Sequence, residues 1–277
     1  MVYETTTLGK MVAAPTQYSA NLLQPLLRRE CRGQSLHQHV SAIATGWDEW
    51  FALEFCCLDA NGCPLPLVAR FRLPYDSKYL IESKSFKLYL NSYNFYRVQD
   101  IQCLKDLLTQ DLSAAANTPF HVTLWDLTTW QKLLTHAEPE PIDCLDGCIN
   151  SYEDVNDRRP DWLVTTKEIT KKRWVSHHFR SNCPVTGQPD WASVDIDYHG
   201  PTIIAADLYR YLLSYRQHQG FHEQCIEQIF VDIYQQCHPE TLTVRGYFTR
   251  RGGLDINPVR STQSLVCTNH VTRFGRQ

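Results

Sequence analysis

An α+β fold built twice over is the architecture this sequence predicts, each copy with two helices packed on one face of an antiparallel sheet. Three observations predict it. Two stretches alternate apolar and polar residues with period two, two pairs of helix-like segments follow them, and the spacing within the halves agrees. LYLNSYNFY starts at Leu88 and leads through IQCLKDLLTQDL to PFHVTLWD, and LYRYLLSYR starts at Leu208 and leads through FHEQCIEQIFVDIY to TLTVRGYF. Leu88 stands 32 residues before Phe120, and Leu208 stands 33 before Thr241. The 277 residues are enough for two modest cores.

Taken in order, residues 1–44 form an N-terminal extension whose role the residues do not show. A first module is expected over 45–135. Its strand alternates Leu67, Ala69, Phe71 and Leu73 with Val68, Arg70 and Arg72, which reads as a half-buried antiparallel strand. Its second helix places Ile101, Leu104 and Leu108 on one face. Residues 136–165 are expected to connect the modules. Within them EPEPIDCLDGCINSYEDVND holds seven acids and no base, which suits a solvated linker and lacks the loop spacing of a calcium site. A second module spans 166–277. There Ala192, Val194, Ile196 and Tyr198 alternate with Ser193, Asp195 and Asp197, and Ile226, Ile229, Phe230 and Ile233 fall at helical spacing. Each half thus runs strand, strand, helix, helix, strand, strand.

A net charge of −3 gives no polyanion signal, so direct nucleic-acid binding is not expected. No apolar run reaches membrane length, and MVYETTTLGK lacks a secretory layout, so a cytoplasmic protein is expected. Eleven cysteines, an odd number in a chain of this size, read as reduced thiols. No CxxC is present, and neither Cys56–Cys57 nor Cys144/Cys148 has a histidine at zinc-finger spacing, so no metal site is expected.

Four segments carry chemistry. In SNCPVTGQPDW, a turn rich in proline and glycine separates Cys183 from Asp190. An ionised Asp190 would discourage a thiolate beside it, so the pair makes more sense with Asp190 as proton donor. A turn with a buried cysteine and a capping aspartate would look the same. His222 and Glu223 open the second helix of the later half, where an acid also complements the helix dipole. In ESKSFKLYLNS, Glu82, Ser83, Lys84, Ser85 and Lys87 crowd a strand-to-helix junction; lysines there suit phosphate, and a carboxylate suits the N–H edge of a base. The bland reading is a charged, solvated turn. In RRGGLDINPVR, two arginines precede two glycines, which suits either a phosphate contact or a hairpin turn.

Together the blocks ESKSFKLYLNS, SNCPVTGQPDWA, GFHEQCIEQIF and GYFTRRGGLDINPVRS resemble the NADPH-dependent 7-cyano-7-deazaguanine reductases, nitrile reductases of queuosine biosynthesis, in their long two-module form. The resemblance runs from about Thr45 onward, outside the acidic connector, with the blocks in the family's order and no departure at the matching positions. It implies tandem tunnelling-fold modules and a homodimer. It implies that Cys183 is the nucleophile forming a thioimide, Asp190 the general acid and His222 a catalytic neighbour of the substrate. Ile81, Glu82, Ser83, His222 and Glu223 would bind the deazaguanine, and Ser83, Lys84, Arg251 and Gly252 would contact NADPH. Because the two sets of residues fall in different halves, the site is expected where the halves meet. The rivals are a thiol-dependent nitrile hydrolase, a zinc-dependent tunnelling-fold cyclohydrolase and a non-catalytic purine-binding module.

Overall fold

In the computed structural model the described residues are 12–135, 142–153, 155–266 and 271–277; residues 1–11 of the expected extension and 136–141 and 154 of the expected connector lie outside them. The chain divides into two compact units. One gathers Met1–Gly33, Asp48–Ala137 and Arg250–Asp255, the other Gln34–Trp47, Glu138–Thr249 and Ile256–Gln277.

In the first unit, strands β2 (Thr45–Leu58), β3 (Pro64–Pro74) and β5 (His121–Trp125) lie in the order β5-β3-β2, and β3 and β5 pair antiparallel. Helices α2 (Ser83–Asn91) and α3 (Ile101–Ala116) supply the apolar cover. Phe86 of α2 sits 5.0 Å from the rings of Trp50 and of Phe71. Leu104, Leu108, Leu112 and Ala116 form the buried stripe of α3. Ile101, expected on that stripe, is exposed, because Asp100 caps the helix through the Cys103 amide and leaves the first residue at the open end.

The N-terminal segment is built into this unit. Strand β1 (Pro25–Leu27) pairs antiparallel with β4 (Tyr79–Ile81), and Arg28, which opens helix α1 (Arg28–His39), is buried 2.8 Å from Asp48.

In the second unit the order is β10-β9-β8-β7-β6, from β10 (Leu254–Ser261), β9 (Thr241–Phe248), β8 (Pro189–Ile203), β7 (Thr165–Asn182) and β6 (Asp143–Cys144). All pair antiparallel except β6, which runs parallel to β7. Helices α5 (Ala205–Leu213) and α6 (His222–Cys237) cover the apolar side. The stripe Ile226, Ile229, Phe230 and Ile233 is fully buried, as expected. Gly246 lets α6 approach β9, since a Cβ there would lie 2.6 Å from Ile226 Cδ1.

The expected α+β class, two helices on an antiparallel sheet, is what each unit shows. Three details differ from the sequence reading. First, the last element of the early half is a helix, α4 (Leu127–Thr135), and not a strand. Asp126 accepts the Thr129 amide at 2.8 Å and so starts the helix, while Trp130 is buried against Phe51 and Trp125.

Second, the polar faces of the strands are buried as well as the apolar ones. Arg70 and Arg72 both turn to Glu49, and Asp195 lies between Arg173, at 2.9 Å, and Arg245, at 3.6 Å. Burial raises the Glu49 carboxyl while Arg72 and Arg70 pull it back down.

Third, the repeat has a different register. In the first unit Tyr89 and Tyr93 share a hydroxyl contact of 2.8 Å and Tyr89 donates to Asp111 at 2.7 Å. In the second, Tyr211 and Tyr215 stand 3.0 Å apart and Tyr211 donates to Asp232 at 2.7 Å. Ser92 and Ser214 each donate 2.6 Å back to the tyrosine three residues earlier, and each accepts a preceding amide, from Ser19 and Arg159. Tyr89 thus corresponds to Tyr211, and Leu88 aligns with Arg210, not Leu208. Closely spaced leucines and tyrosines allow both offsets in the sequence; the hydrogen-bond network selects one.

Candidate active site

Cys183 and Asp190 lie on one hairpin, formed by β7 and β8. Ser181 pairs with Asp190 and Asn182 with Pro189, so the thiol begins the turn and the carboxyl stands one step inside its far end. The turn closes on itself: the Cys183 amide donates to Gln188 O at 2.8 Å, and the Gly187 amide donates to Cys183 O at 2.9 Å. Gly187 has φ +67°, a left-handed conformation that glycine adopts without strain. Both Cys183 and Asp190 are buried.

A second set of backbone bonds ties this turn to α6. Asn182 donates to His218 O at 2.8 Å, and Gly220 donates to Asn182 O at 3.1 Å. The first residue of α6 is thereby held at the hairpin, with His222 Nε2 at 3.3 Å from Asp190 Oδ1. The imidazole lies flat on Phe248, ring centres 3.9 Å apart at 7°, which fixes its plane. Its Nδ1 is buried with no hydrogen-bond partner among the described residues. Glu223, in the first turn of α6, is buried as well. The sequence reading did not single out Phe248 or the neighbouring thiol Cys225. Burial pushes Cys225 up to about 12, with Ser181 pulling it down only in part, so Cys225 is an inert thiol at neutral pH.

Ile81, Glu82, Ser83, Lys84, Arg251 and Gly252 all fall in the other unit. Ile81 ends β4 and is buried. Glu82 is the N-cap of α2: its two carboxylate oxygens accept the Lys84 amide at 2.6 Å and the Ser85 amide at 2.9 Å. These bonds, with the Ser83 hydroxyl donating to Oε1 at 3.4 Å, anchor the carboxylate at the helix start. Ser83 and Lys84 are half-buried in the first turn of α2.

Arg251 and Leu254 exchange backbone bonds across a two-residue turn, with Gly252 at φ +60° and Gly253 at φ +86°. Both positive angles belong to the tight hairpin turn that two glycines favour. A Cβ on Gly252 would stand 2.2 Å from Lys87 Nζ, so the bare backbone makes room for that ammonium. Lys87, one helical turn beyond Lys84, thus joins the α2 cluster to the Arg251–Gly252 turn. Two lysines, an arginine and open backbone fit the phosphates of a dinucleotide.

The family model for the N-terminal part of the nitrile reductase 7-cyano-7-deazaguanine reductase matches residues 14–124, and the QueF-like protein model matches residues 189–266. The chain is 47% identical over 259 residues to the NADPH-dependent 7-cyano-7-deazaguanine reductase of Bordetella avium, covering 92% of each chain. It is 45% identical over 256 residues to that of Chromohalobacter salexigens, covering 92% of this chain and 91% of the relative. To that of Stenotrophomonas maltophilia it is 42% identical over 272 residues, covering 98% and 97%. The chain belongs to the NADPH-dependent 7-cyano-7-deazaguanine reductase family.

Proposed function

We propose that this protein reduces the nitrile of 7-cyano-7-deazaguanine to the primary amine through a covalent bond to Cys183. The observation that carries the mechanism is the hairpin that sets Cys183 at its turn, with Asp190 one step inside and His222 on Asp190. NADPH supplies hydride when bound, and its phosphates are held by Ser83, Lys84, Arg251 and the Gly252 backbone.

Cys183 gives up its thiol proton to solvent and Sγ adds to the nitrile carbon, forming a C–S bond and turning C≡N into C=N, while Asp190 gives a proton to the nitrogen, so the addition is proton-neutral. This converts a poor hydride acceptor into a better one. His222 restores the Asp190 proton through Nε2 and exchanges its own through Nδ1. Once the carbon has been reduced, the C–S bond breaks and the thiol is regenerated, leaving an imine for the second reduction. The balance is four electrons and four protons per nitrile, hence two hydrides with two further protons. Glu223, buried in the first turn of α6, accepts an N–H group of the deazaguanine. The working form is a homodimer.

The test is stoichiometry. Purified protein should consume two NADPH for each aminomethyl product. Amide or acid formed without loss of NADPH absorbance would replace this reading with a nitrile hydrolase.

A further inference from the structure

We propose that Cys144, Asp146 and His177 of β7 form a divalent-metal site, zinc by the class of its donors, separate from the reductase chemistry. Cys144 Sγ, a carboxylate oxygen of Asp146 and a ring nitrogen of His177 all lie within 4.8 Å of one another. A tetrahedral zinc with bonds of about 2.0–2.3 Å holds its ligands roughly 3.5 Å apart, so a shift of about 1 Å closes the set. Cys144 is the exposed last residue of β6, so a rotation of its side chain can supply that shift.

Two features of the fold build the site. The first is the parallel pairing of β6 with β7, reinforced by the Leu145 amide on Val175 O at 2.8 Å, which fixes the turn beside Ser176 and His177. The second is a bulge. Ser176 pairs with Val194 and Phe179 with Ala192, so His177 and His178 together face the single residue Ser193. A bulge re-aims side chains that a regular strand would send to opposite faces. Here it brings His177 into the donor set and places His178 Nδ1 3.6 Å from Asp146.

The surrounding bonds are those of a ligand shell. His177 Nδ1 is 2.8 Å from Ser193 Oγ, which orients the ring. Asp146 accepts the Ser176 hydroxyl at 2.8 Å and the His177 amide at 2.9 Å. Water completes the fourth position of a tetrahedral ion on these three donors. The nearby cations have other partners: Lys172 meets Asp143 at 2.8 Å, and Arg276 donates to His177 O at 2.8 Å. The mixed sulfur, nitrogen and oxygen set favours zinc over magnesium or calcium. Spacing along the chain could not show this site, because its histidines come from a neighbouring strand. His177 lies six residues before Cys183 on β7, about 20 Å at strand rise, so the two thiol sites are separable.

The full-length protein, stripped with a chelator, is titrated with zinc against a chromophoric indicator, and with cobalt while the thiolate-to-cobalt absorption is recorded. One zinc per chain and a cobalt–thiolate band are expected. Cys144→Ser should abolish the band, and Cys144→Ser and His177→Ala should each weaken zinc about tenfold or more, while Cys183→Ala changes neither. Cys144 is exposed, so its serine variant keeps the fold. Substoichiometric zinc, a band that survives Cys144→Ser, or binding lost in Cys183→Ala would overturn the proposal.

Discussion

Asp190 and His218 show how single side chains near the hairpin set behaviour against pH and during turnover. Asp190 stands 3.3 Å from the His222 imidazole on the hairpin that carries Cys183, and Asn in its place keeps the shape but gives up no proton. Asp190→Asn is therefore expected to lower kcat by about 10²–10⁴-fold while NADPH binding is unchanged; steady-state kinetics with separate KM values checks it. His218 is held neutral in the fold because burial, helped by Arg158, lowers it from 6.5. Its ring Nε2 is buried with no hydrogen-bond partner among the described residues. A lowered pKa means the unfolded chain binds more protons below pH 6.5, so this contribution to stability holds above that pH and is lost as the solution is acidified. His218→Phe keeps the edge contact with Tyr215 and should flatten the fall in urea midpoint between about pH 7.5 and 5. An unchanged acid slope would mean another group governs it.

At the level of elements, the helix stripes were the most legible part of the sequence, because α6 buries a face whose 3.6-residue period nothing interrupts. The strand faces were less so. Alternation correctly located β3 and β8, yet Arg70, Arg72 and Asp195 are buried, since each has an opposite charge across the sheet face. Alternation marks which residues share a face, and only the partner charge decides whether that face is wet. The glycine pair was read as a hairpin turn or a phosphate contact, and the structure builds the turn with Lys87 against it. Gly252→Ala would strain a residue at φ +60° by about 1–2 kcal/mol and displace Lys87. The expected result is a higher KM for NADPH with deazaguanine binding little changed, read by kinetics and by direct ligand titration.

Across the whole molecule, the tyrosine–serine–aspartate network recurs in both units, with Tyr89, Tyr93 and Asp111 matched by Tyr211, Tyr215 and Asp232. The network reaches back to Ser19 in one unit and Arg159 in the other. The early residues, whose role was opaque in sequence, are thus part of the repeated unit, and their signal was hidden because the contact is made by a backbone amide. Within the second unit Arg260 is fully buried on Glu227 at 2.8 Å. Arg260→Met strands that carboxylate and should destabilise the unit by about 3–5 kcal/mol, visible in thermal and urea unfolding, whereas the double change with Glu227→Leu should recover much of it.

At the candidate site, four sequence blocks supply the proposed residues, and the hairpin that carries Cys183 and Asp190 is a feature the turn residues of SNCPVTGQPDW predict. Phe248 beneath His222 was not legible in the sequence, because stacking depends on strand β9 lying beside β8. The account's central claim is the bond from sulfur to the nitrile carbon. Intact-mass measurement of protein incubated with 7-cyano-7-deazaguanine, without NADPH, tests it most directly. The native chain should gain the mass of one substrate and Cys183→Ala should gain none. The same mass gain in Cys183→Ala, or none in either, would contradict it.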